Sequence, residues 1–224
     1  IFANVSTYCV NSLKPMLDSM KATAFDAWSA IDHAPDRSLI SGLTYMQTNF
    51  MVFSPIVFRN PNFLKFWKSI DRVKNKSEIV KKYELALSEL LAEEGFSVGC
   101  YVNSNTLNSY IRSNSEKISA KILSALATNH HRLNSSIFNR LFNMPVGGDY
   151  AYSDHIYPLL ELGSPFIKCL ALVPNSETGP GNVLVNYWQD LLAFYVGEAQ
   201  TSMILNHINR LGKVPKSVKK DTQL

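Results

Sequence analysis

Cysteine is scarce in this chain and is not spaced for a metal site or a disulfide framework. The 224 residues include three cysteines, Cys9, Cys100 and Cys169, which are far apart in sequence and form no C-x-x-C pair. Isolated cysteines in an odd number are typical of proteins from a reducing compartment. The sequence therefore predicts a cytoplasmic location.

Long apolar runs and a strong excess of one charge are also missing. Stretches such as FMVF and CLALV are cut short by Ser, Pro or Lys, well below the roughly 18 to 20 residues that cross a bilayer. The chain is therefore not expected to span a membrane. With 22 basic and 18 acidic residues, the net charge of +4 permits an anionic partner without requiring one.

Several motifs of known chemistry are absent. There is no G-x-S-x-G nucleophile turn and no G-x-x-x-x-G-K-[ST] phosphate loop. These absences argue against a serine hydrolase of the first kind and against a P-loop protein. Basic and aromatic residues are not interleaved, so no nucleic acid partner is expected. His130 and His131 are adjacent, and neighbouring helical residues point about 100 degrees apart, which makes them poor ligands of a shared metal.

The chain does contain enough apolar material for one domain, or at most two small ones. Hydrophobic residues make up 46% of it, and the 3 Trp, 10 Tyr and 12 Phe imply a sizeable core. Glycine and proline, ten of each, are too few for a collagen-like or low-complexity chain. The composition therefore indicates a folded globular protein.

The apolar patterns of the first half predict strands alternating with helices. Residues 1–3 are typical of the end of a buried strand, and Ser12 precedes a helix with apolar residues at i, i+3, i+4 and i+7. AFDAWSAID and GLTYMQTNFMVFS each predict a strand, and Pro55 ends the second. Next come a helix over residues 62–71, a helix after Ser77 that stops at Gly95, and a strand over residues 96–102.

The second half is predicted to be mostly helical. Residues 103–115 are rich in Asn and Ser and are predicted to be a loop, until Ser113 and Glu116 form a capping box for the next helix. Further helices are expected near residues 153–162 and 183–195, on either side of the run SPFIKCLALVPN. The lysine-rich ending, residues 213–224, is expected to be an exposed basic tail that is either solvated or in contact with anionic lipid.

Six short motifs follow one another in an order that resembles a known family. The motifs are NVSTY, FDAWSAID, MQTNFMVFS, FLKFWKSI, IVKKYELALSELLAEEGFSV and LGSPFIKCLAL. The matching positions within them are Asn4, Ser6, Asp26, Trp28, Gln47, Phe50, Phe63, Phe66, Trp67, Tyr83, Glu84, Pro165, Phe166 and Lys168. No single motif is specific, but the series over residues 1–171 resembles the rhamnan synthesis protein F family. Its members are bacterial proteins of surface polysaccharide assembly, regarded as glycosyltransferases or glycosyltransferase-like.

The resemblance implies the C-terminal part of a GT-A-like glycosyltransferase fold, a mixed sheet flanked by helices, followed by a mostly helical extension. On this basis residues 1–102 are the acceptor-side part of the core, residues 103–212 the extension packed on it, and residues 213–224 the tail. The nucleotide-binding part of such a fold is expected to precede Ile1 in a longer polypeptide.

The resemblance also implies a catalytic arrangement. Asn4 and Ser6 correspond to the nucleotide and metal turn, and Glu84 lies near the position of the family's catalytic acid pair, which makes it the candidate general base. A helical Glu there is also explained as a solvated residue favoured by the helix dipole. Val5 stands where the family has Asp, and Val cannot bind a hard cation, so no metal ligand is assigned and the cofactor is left open. Three alternatives stay open: basic residues neutralise the leaving diphosphate, the metal ligand lies elsewhere, or this copy has lost activity.

The candidate substrate-binding residues each have a structural alternative. They are Asp26, Trp28, Asp32, Gln47, Asn49, Tyr83 and Lys168. The two aspartates flank an indole that could pack on a sugar, but a core Trp with two loop aspartates fits the pattern equally. The amides of Gln47 and Asn49, on a predicted strand, either bind substrate or satisfy the backbone. Lys168 either contacts phosphate or lies at a strand edge.

Two functions follow from these residues. The first is a glycosyltransferase that moves a sugar, such as rhamnose, from a nucleotide-sugar donor to a growing bacterial surface polysaccharide or lipid-linked glycan, with peripheral contact at the inner face of the plasma membrane. The alternative is a non-catalytic carbohydrate-binding or scaffold module of a polysaccharide assembly system. Convergence of carboxylates in one place would distinguish the first function from the second.

Overall fold

A mixed β-sheet with helices on both faces forms the centre of the protein. The computed structural model describes residues 1–3, 7–33, 43, 45–73, 75–126, 155–172 and 187–210. The strands of the central sheet are β1 (Phe2–Ala3), β3 (Ala27–His33), β4 (Tyr45–Met46), β5 (Phe50–Phe53) and β6 (Val98–Val102). A separate antiparallel pair consists of β2 (Thr7–Cys9) and β7 (Phe166–Lys168). The predicted α/β class, a mixed sheet flanked by helices, is confirmed.

Strand β3 lies in the middle of the sheet and sets the direction of its neighbours. It pairs in parallel with β6, and in antiparallel with β5 along its first half and β4 at its end. Because β1 is antiparallel to β5, β1 runs in the same direction as β3 and β6. The carboxyl ends of these three strands therefore point toward one edge of the sheet.

The segment predicted as a single strand, GLTYMQTNFMVFS, contains two strands separated by a bulge. Between the register pairs Asp32–Met46 and Ser29–Met51, β3 has two residues, whereas the partner segment has four, residues 47–50. The extra residues form a turn at Thr48 and Asn49. Gln47 precedes this turn and Asn49 is part of it, so neither lies on a strand, contrary to the prediction. Bulges of this kind bend a strand and redirect its side chains.

Helices cover the sheet and make up most of the second half. Those before β6 are α1 (Lys14–Lys21), α2 (Pro55–Phe58), α3 (Pro61–Lys68), α4 (Lys76–Ile79) and α5 (Ala86–Glu93). Those after it are α6 (Ser104–Ser113), α7 (Ser115–Leu126), α8 (Ile156–Glu161), α9 (Trp188–Val196) and α10 (Glu198–Arg210). A π-helical segment, Val80–Leu85, joins α4 to α5, and a 3₁₀ turn, Cys169–Leu172, follows β7.

The two faces of the central sheet are packed differently. On one face Met16 and Met20 of α1 contact Trp28, Phe50 and Phe166. On the other, a second cluster joins the sheet to α2, α3 and α5; its buried members are Ala27, Met46, Met51, Phe53, Val57, Phe63, Leu87 and Leu91. Because both faces of β3 are covered, apolar residues occur along it without strict alternation.

The largest apolar cluster joins the end of the sheet to the later helices. Ile31 and Val102, register partners on β3 and β6, pack with buried residues from all of α6 to α10. Each of these helices therefore buries an apolar stripe in the same core. The division at residue 102 into a core and an extension stays a prediction.

Two local predictions were wrong for identifiable reasons. Strand β1 forms at Phe2–Ala3, but it is not buried as predicted, since Ile1 and Phe2 are exposed on a short edge strand. The loop predicted after Val102 is helix α6, whose Asn103 accepts a hydrogen bond from the Thr106 backbone N–H at 2.7 Å. Asn and Ser lower helix propensity in mid-helix but favour its start, and here the cap together with buried Leu107 and Ile111 outweighs composition.

The stop after α5 agrees with the sequence prediction. Gly95 adopts φ of 75°, the left-handed conformation that glycine tolerates, one residue after the last turn. Pro55 likewise ends β5, since it stands at the first position of α2.

Candidate functional site

Asp26 and Asp32 lie at opposite ends of β3, so they do not flank Trp28 in one sugar site as the sequence predicted. Five residues lie between them, and the six residue steps of extended strand correspond to about 20 Å. Trp28 lies between them with its ring 5.9 Å from that of Phe50, and it is 7% exposed. The structural alternative for Trp28, a core indole, is therefore the one observed.

At the amino end of β3, Asp26 fastens the start of β3 to the start of β6. Its Oδ2 accepts hydrogen bonds from the Ser97 backbone N–H and from Ser97 Oγ, both at 2.9 Å. In return, the Asp26 backbone N–H donates to the Ser97 carbonyl oxygen at 2.9 Å. This reciprocal arrangement accounts for an aspartate here without any substrate.

At the carboxyl end of β3, Asp32 holds the first turn of α6. Its Oδ1 accepts from the Ser104 backbone N–H at 2.8 Å and from Ser104 Oγ at 2.6 Å. Burial of the Cys100 thiol, together with the nearby Asp32 charge, raises the pKa of Cys100 to about 12. Asp32 is therefore a partly buried carboxylate that acts on its surroundings electrostatically.

The bulge between β4 and β5 is tied to β3 and to the π-helical segment. The Gln47 backbone N–H donates to the Ile31 carbonyl oxygen at 3.3 Å, beside Asp32. Thr48 Oγ1 donates to Glu84 Oε1 at 2.7 Å. Gln47 and Asn49 are both 3% exposed, so their amide groups are buried where the strand is interrupted.

Glu84 lies in the π-helical segment, half-buried, and its backbone is also connected to β4. Ser88 Oγ donates to the Glu84 carbonyl oxygen at 3.4 Å and accepts from the Met46 backbone N–H at 3.0 Å. Met46 is the register partner of Asp32. π-helical turns are rare and are frequent at functional sites. The position of Glu84 in such a turn is therefore typical of a functional residue.

These residues lie at the edge where β1, β3 and β6 end, as two hydrogen-bonded pairs, Asp32 with Ser104 and Thr48 with Glu84, and the two buried amides of the bulge. We call this group the carboxyl-end cluster, and its members are Asp32, Gln47, Thr48, Asn49, Glu84 and Ser104. In open α/β sheets, ligands bind outside the carboxyl ends of the strands. Of the predicted site residues, Asp32, Gln47, Asn49 and Glu84 lie in this cluster.

Tyr83, although adjacent to Glu84, has a structural role. Its hydroxyl accepts from the Asp71 backbone N–H at 2.8 Å and donates to the Asp71 carbonyl oxygen at 3.2 Å. Its ring also packs edge-on against Phe66, with centroids 6.3 Å apart. These contacts hold the segment after α3 against the π-helical segment.

Lys168 lies apart from the central sheet. It ends β7, where it is the register partner of Thr7 in the separate two-stranded pair. Asn4, Val5 and Ser6, the predicted nucleotide and metal turn, lie outside the described residues, as do His130, His131 and the basic tail. Ala3, which ends β1, is the last described residue before that turn.

A second carboxylate centre, not predicted from the sequence, joins four helices away from the central sheet. Glu161 of α8 accepts from Tyr110 of α6 at 2.6 Å, Lys121 of α7 at 2.7 Å and Tyr195 of α9 at 3.0 Å. Burial opposes ionisation of Glu161, but these three donors lower its pKa overall. Burial and the Glu161 charge raise the pKa of Tyr110 to about 12. Because Glu161 already receives three donors from its own chain, the centre is structural.

Sequence reasoning missed the partners that position the cluster. The sequence predicts no role for Thr48, and Ser104 lies in the segment that it predicts to be a loop. The pair Asn103–Ser104 directly after a strand is a helix-start signal that would have predicted α6. No local pattern predicts the contact between Thr48 and Glu84, which are 36 residues apart.

The described residues also limit the sites that this part of the chain offers. Within them, no group of three or more His, Cys, Asp or Glu side chains is arranged to hold a metal ion. In the same ranges, no helix is both long and apolar enough to cross a membrane.

Comparison with known proteins gives one match. A family model described as rhamnan synthesis protein F matches residues 7–127, which is more than half of the 224 residues. The chain therefore belongs to the rhamnan synthesis protein F family, and its function lies in the synthesis of rhamnan polysaccharide. The predicted family is confirmed, and the match covers the whole carboxyl-end cluster and continues through α7. No curated protein and no solved structure matches the chain.

Proposed function

We propose that this chain is the acceptor-side part of a GT-A-like glycosyltransferase of polysaccharide synthesis. It transfers a sugar from a nucleotide-sugar donor to a growing surface polysaccharide, and the reaction takes place at the carboxyl-end cluster. The observation that carries the proposal is the position of this cluster in a member of a rhamnan synthesis family. Carboxylates, amides and hydroxyls, the groups that bind sugar hydroxyls, lie together at the edge of the sheet where ligands bind.

Glu84 is the general base in this proposal. Its carboxylate takes the proton from the acceptor hydroxyl while that oxygen bonds to the anomeric carbon and the nucleoside diphosphate leaves with the electron pair of the broken bond. The hydrogen bond from Thr48 Oγ1 to Glu84 Oε1, at 2.7 Å, fixes the orientation of the carboxylate. Asp32 and the amides of Gln47 and Asn49 orient the acceptor, since each of these groups lies on the same edge of the sheet.

The leaving diphosphate needs positive charge, and Val5 cannot supply a metal ligand. We therefore assign neither a donor sugar nor a metal ion to the reaction, and the experiment tests both. The experiment measures nucleotide release and sugar transfer by the whole protein, over a panel of nucleotide sugars that includes dTDP-rhamnose, with Mn²⁺ or with EDTA.

Glu84→Gln is the decisive variant, and Glu93→Gln is its matched control, because Glu93 is an exposed carboxylate at the end of α5. We expect Glu84→Gln to lower the transfer rate by about 10² to 10⁴-fold with an unchanged unfolding midpoint, and Glu93→Gln to leave both unchanged. Equal rates for the two variants would remove Glu84 from the mechanism. If the protein bound polysaccharide but turned over no donor, we would conclude that it is a non-catalytic binding module.

A further inference from the structure

Exposed apolar side chains concentrate in one part of the described surface. Six of the ten exposed large hydrophobic residues lie at the start of the chain or between residues 56 and 70. Those of the second group are Ile56, 58% exposed, Leu64, 42%, Ile70, 40%, and Phe58, 37%. Single exposed apolar residues are common, whereas a group in one short segment marks an interaction surface.

Ile56, Leu64 and Ile70 are not among the buried core residues, whereas Phe58 packs edge-on against buried Phe53 and Phe63 and leaves 37% of its surface exposed. In α2 and α3 the buried residues Val57 and Phe63 face the cluster that joins these helices to the sheet. Leu64 lies on the outer side of α3, next to Lys65 and Lys68, which are also exposed. The helices α2 and α3 therefore present a second face, apolar and basic, to the solvent.

Ring contacts connect this face to the edge of the sheet. Phe58 lies 6.2 Å from Phe2, and Phe2 stacks on Trp67 at 5.0 Å with the ring planes 8° apart. Trp67 is one turn after Leu64 on α3. These contacts place Phe58, Phe2 and Trp67 side by side, so the exposed part of α2 adjoins α3 through Phe2.

The segment that contains this surface is basic. Residues 55–73 contain four basic residues, Arg59, Lys65, Lys68 and Arg72, against a single acidic one, Asp71, a net charge of +3 out of +4 for the whole chain. All five are exposed. We call this surface the apolar–basic face, and it consists of Ile56, Phe58, Leu64 and Ile70 with Arg59, Lys65, Lys68 and Arg72.

We propose that the apolar–basic face docks on an anionic lipid bilayer. Aliphatic and aromatic side chains enter the boundary between headgroups and acyl chains, while flanking Lys and Arg side chains extend to the lipid phosphates. A protein partner is disfavoured because lysine is depleted at protein interfaces, whereas two lysines border Leu64 here. This inference does not depend on glycosyl transfer, and its test uses no sugar donor.

The test is co-flotation of the whole protein with vesicles of phosphatidylcholine alone or of equimolar phosphatidylcholine and phosphatidylglycerol. We expect binding to the anionic vesicles that weakens as salt rises. Lys65→Gln with Lys68→Gln should weaken binding by about 30-fold, which corresponds to about 1 kcal/mol for each basic residue. Ile56→Ser with Leu64→Ser should weaken it by about 150-fold, since about 1.5 kcal/mol of burial is lost for each of the two side chains.

Two control variants assign the effect to this face. Arg112→Gln with Lys117→Gln removes two exposed basic residues from α6 and α7 and should leave binding unchanged. Replacement of Lys213, Lys216, Lys219 and Lys220 by Gln measures the contribution of the tail, and the variants of the face should still lower binding in that background.

Three outcomes would overturn the proposal. The first is no binding of the wild type to the anionic vesicles. The second is binding that is lost only in the tail variant, which would assign the contact to the tail. The third is self-association, measured by analytical ultracentrifugation without vesicles and lost in the same Ile56 and Leu64 variant, with no lipid effect. That result would identify a second copy of the chain as the partner.

Discussion

At each end of β3 an aspartate accepts two hydrogen bonds from one serine beside β6. Asp26 receives the N–H and hydroxyl of Ser97, both at 2.9 Å, and Asp32 receives those of Ser104, at 2.8 and 2.6 Å. The local chemistry is the same, but the surroundings differ. The hydrogen bonds between Asp26 and Ser97 are exposed and lie where β3 and β6 start. Those between Asp32 and Ser104 are partly buried and lie beside the bulge and the start of the ten-residue helix α6.

This comparison shows that position in the sheet, not the residue type or its hydrogen bonds, distinguishes a structural carboxylate from a candidate for substrate binding. At the amino end of β3, the hydrogen-bond partner of Asp26 is Ser97, directly before β6. The carboxyl end combines Asp32 with the buried amides of the bulge and with Glu84, which approaches through Thr48. Four consequences of this difference can be measured.

The largest effect is expected in the middle of β3, where Trp28 lies between the two ends. Trp28→Ala should lower the free energy of unfolding by about 3 to 5 kcal/mol, because the indole is buried against Phe50 and the methionines of α1. Chemical denaturation measures this. In the milder variant Trp28→Phe, KM values for donor and acceptor should stay unchanged, and a selective rise in KM would return Trp28 to the substrate site.

The two aspartates should differ in their contribution to stability. We expect Asp32→Ala to lower the free energy of unfolding by about 1 to 3 kcal/mol, since it leaves a partly buried N–H and hydroxyl without an acceptor. Asp26→Ala should cost less than about 1 kcal/mol, because water can replace the carboxylate at an exposed site. Equal losses in parallel urea titrations would contradict the difference in surroundings.

Thr48 should matter for activity more than for stability. Thr48→Val keeps the shape of the side chain but removes the donor to Glu84, and we expect a loss of about 0.5 to 1.5 kcal/mol in unfolding free energy. Without that donor the Glu84 carboxylate loses its fixed orientation, so the transfer rate should fall by about tenfold. Thr48→Ser, which restores the hydroxyl, should restore the rate, and a Ser variant as slow as the Val variant would exclude this role.

The smallest effect concerns the pH dependence contributed by Cys100. Its pKa is raised from 9.0 to about 12 by burial and by the charge of Asp32. Between these values the folded protein keeps a proton that the unfolded chain loses, so the contribution of Cys100 to stability is complete below pH 9 and declines as the pH rises toward 12. Cys100→Ala should therefore flatten the fall of the unfolding free energy above pH 9, and an unchanged slope would contradict the assigned environment.

The fold was predictable where a residue pattern acts locally. The strand around Trp28, the stop at Gly95, the end of β5 before Pro55 and the apolar stripe of α7 all follow from periodicity or from backbone preference, and each is confirmed. Composition does not predict α6, because Asn and Ser disfavour the middle of a helix. Asn103, however, caps the start of this helix.

The candidate site was predictable only as a set of residues and not as an arrangement. The resemblance supplied Asp26, Trp28 and Glu84, and the pattern around Trp28 added Asp32, but the spacing of these residues in sequence says little about their separation in space. The bulge depends on the register between β3 and two different strands, and the Thr48–Glu84 contact depends on the π-helical segment. Both are tertiary features that no window of sequence contains.

The most direct test of the central claim, that function resides at the carboxyl end of β3, compares sugar transfer by Asp32→Asn and Asp26→Asn in the whole protein. Asparagine keeps an acceptor oxygen for each serine and removes only the charge, so the two variants are matched. We predict that Asp32→Asn lowers the transfer rate by at least about tenfold, the value of one charged hydrogen bond, while Asp26→Asn retains the wild-type rate. Equal rates for the two variants, or a greater loss in Asp26→Asn, would contradict the account.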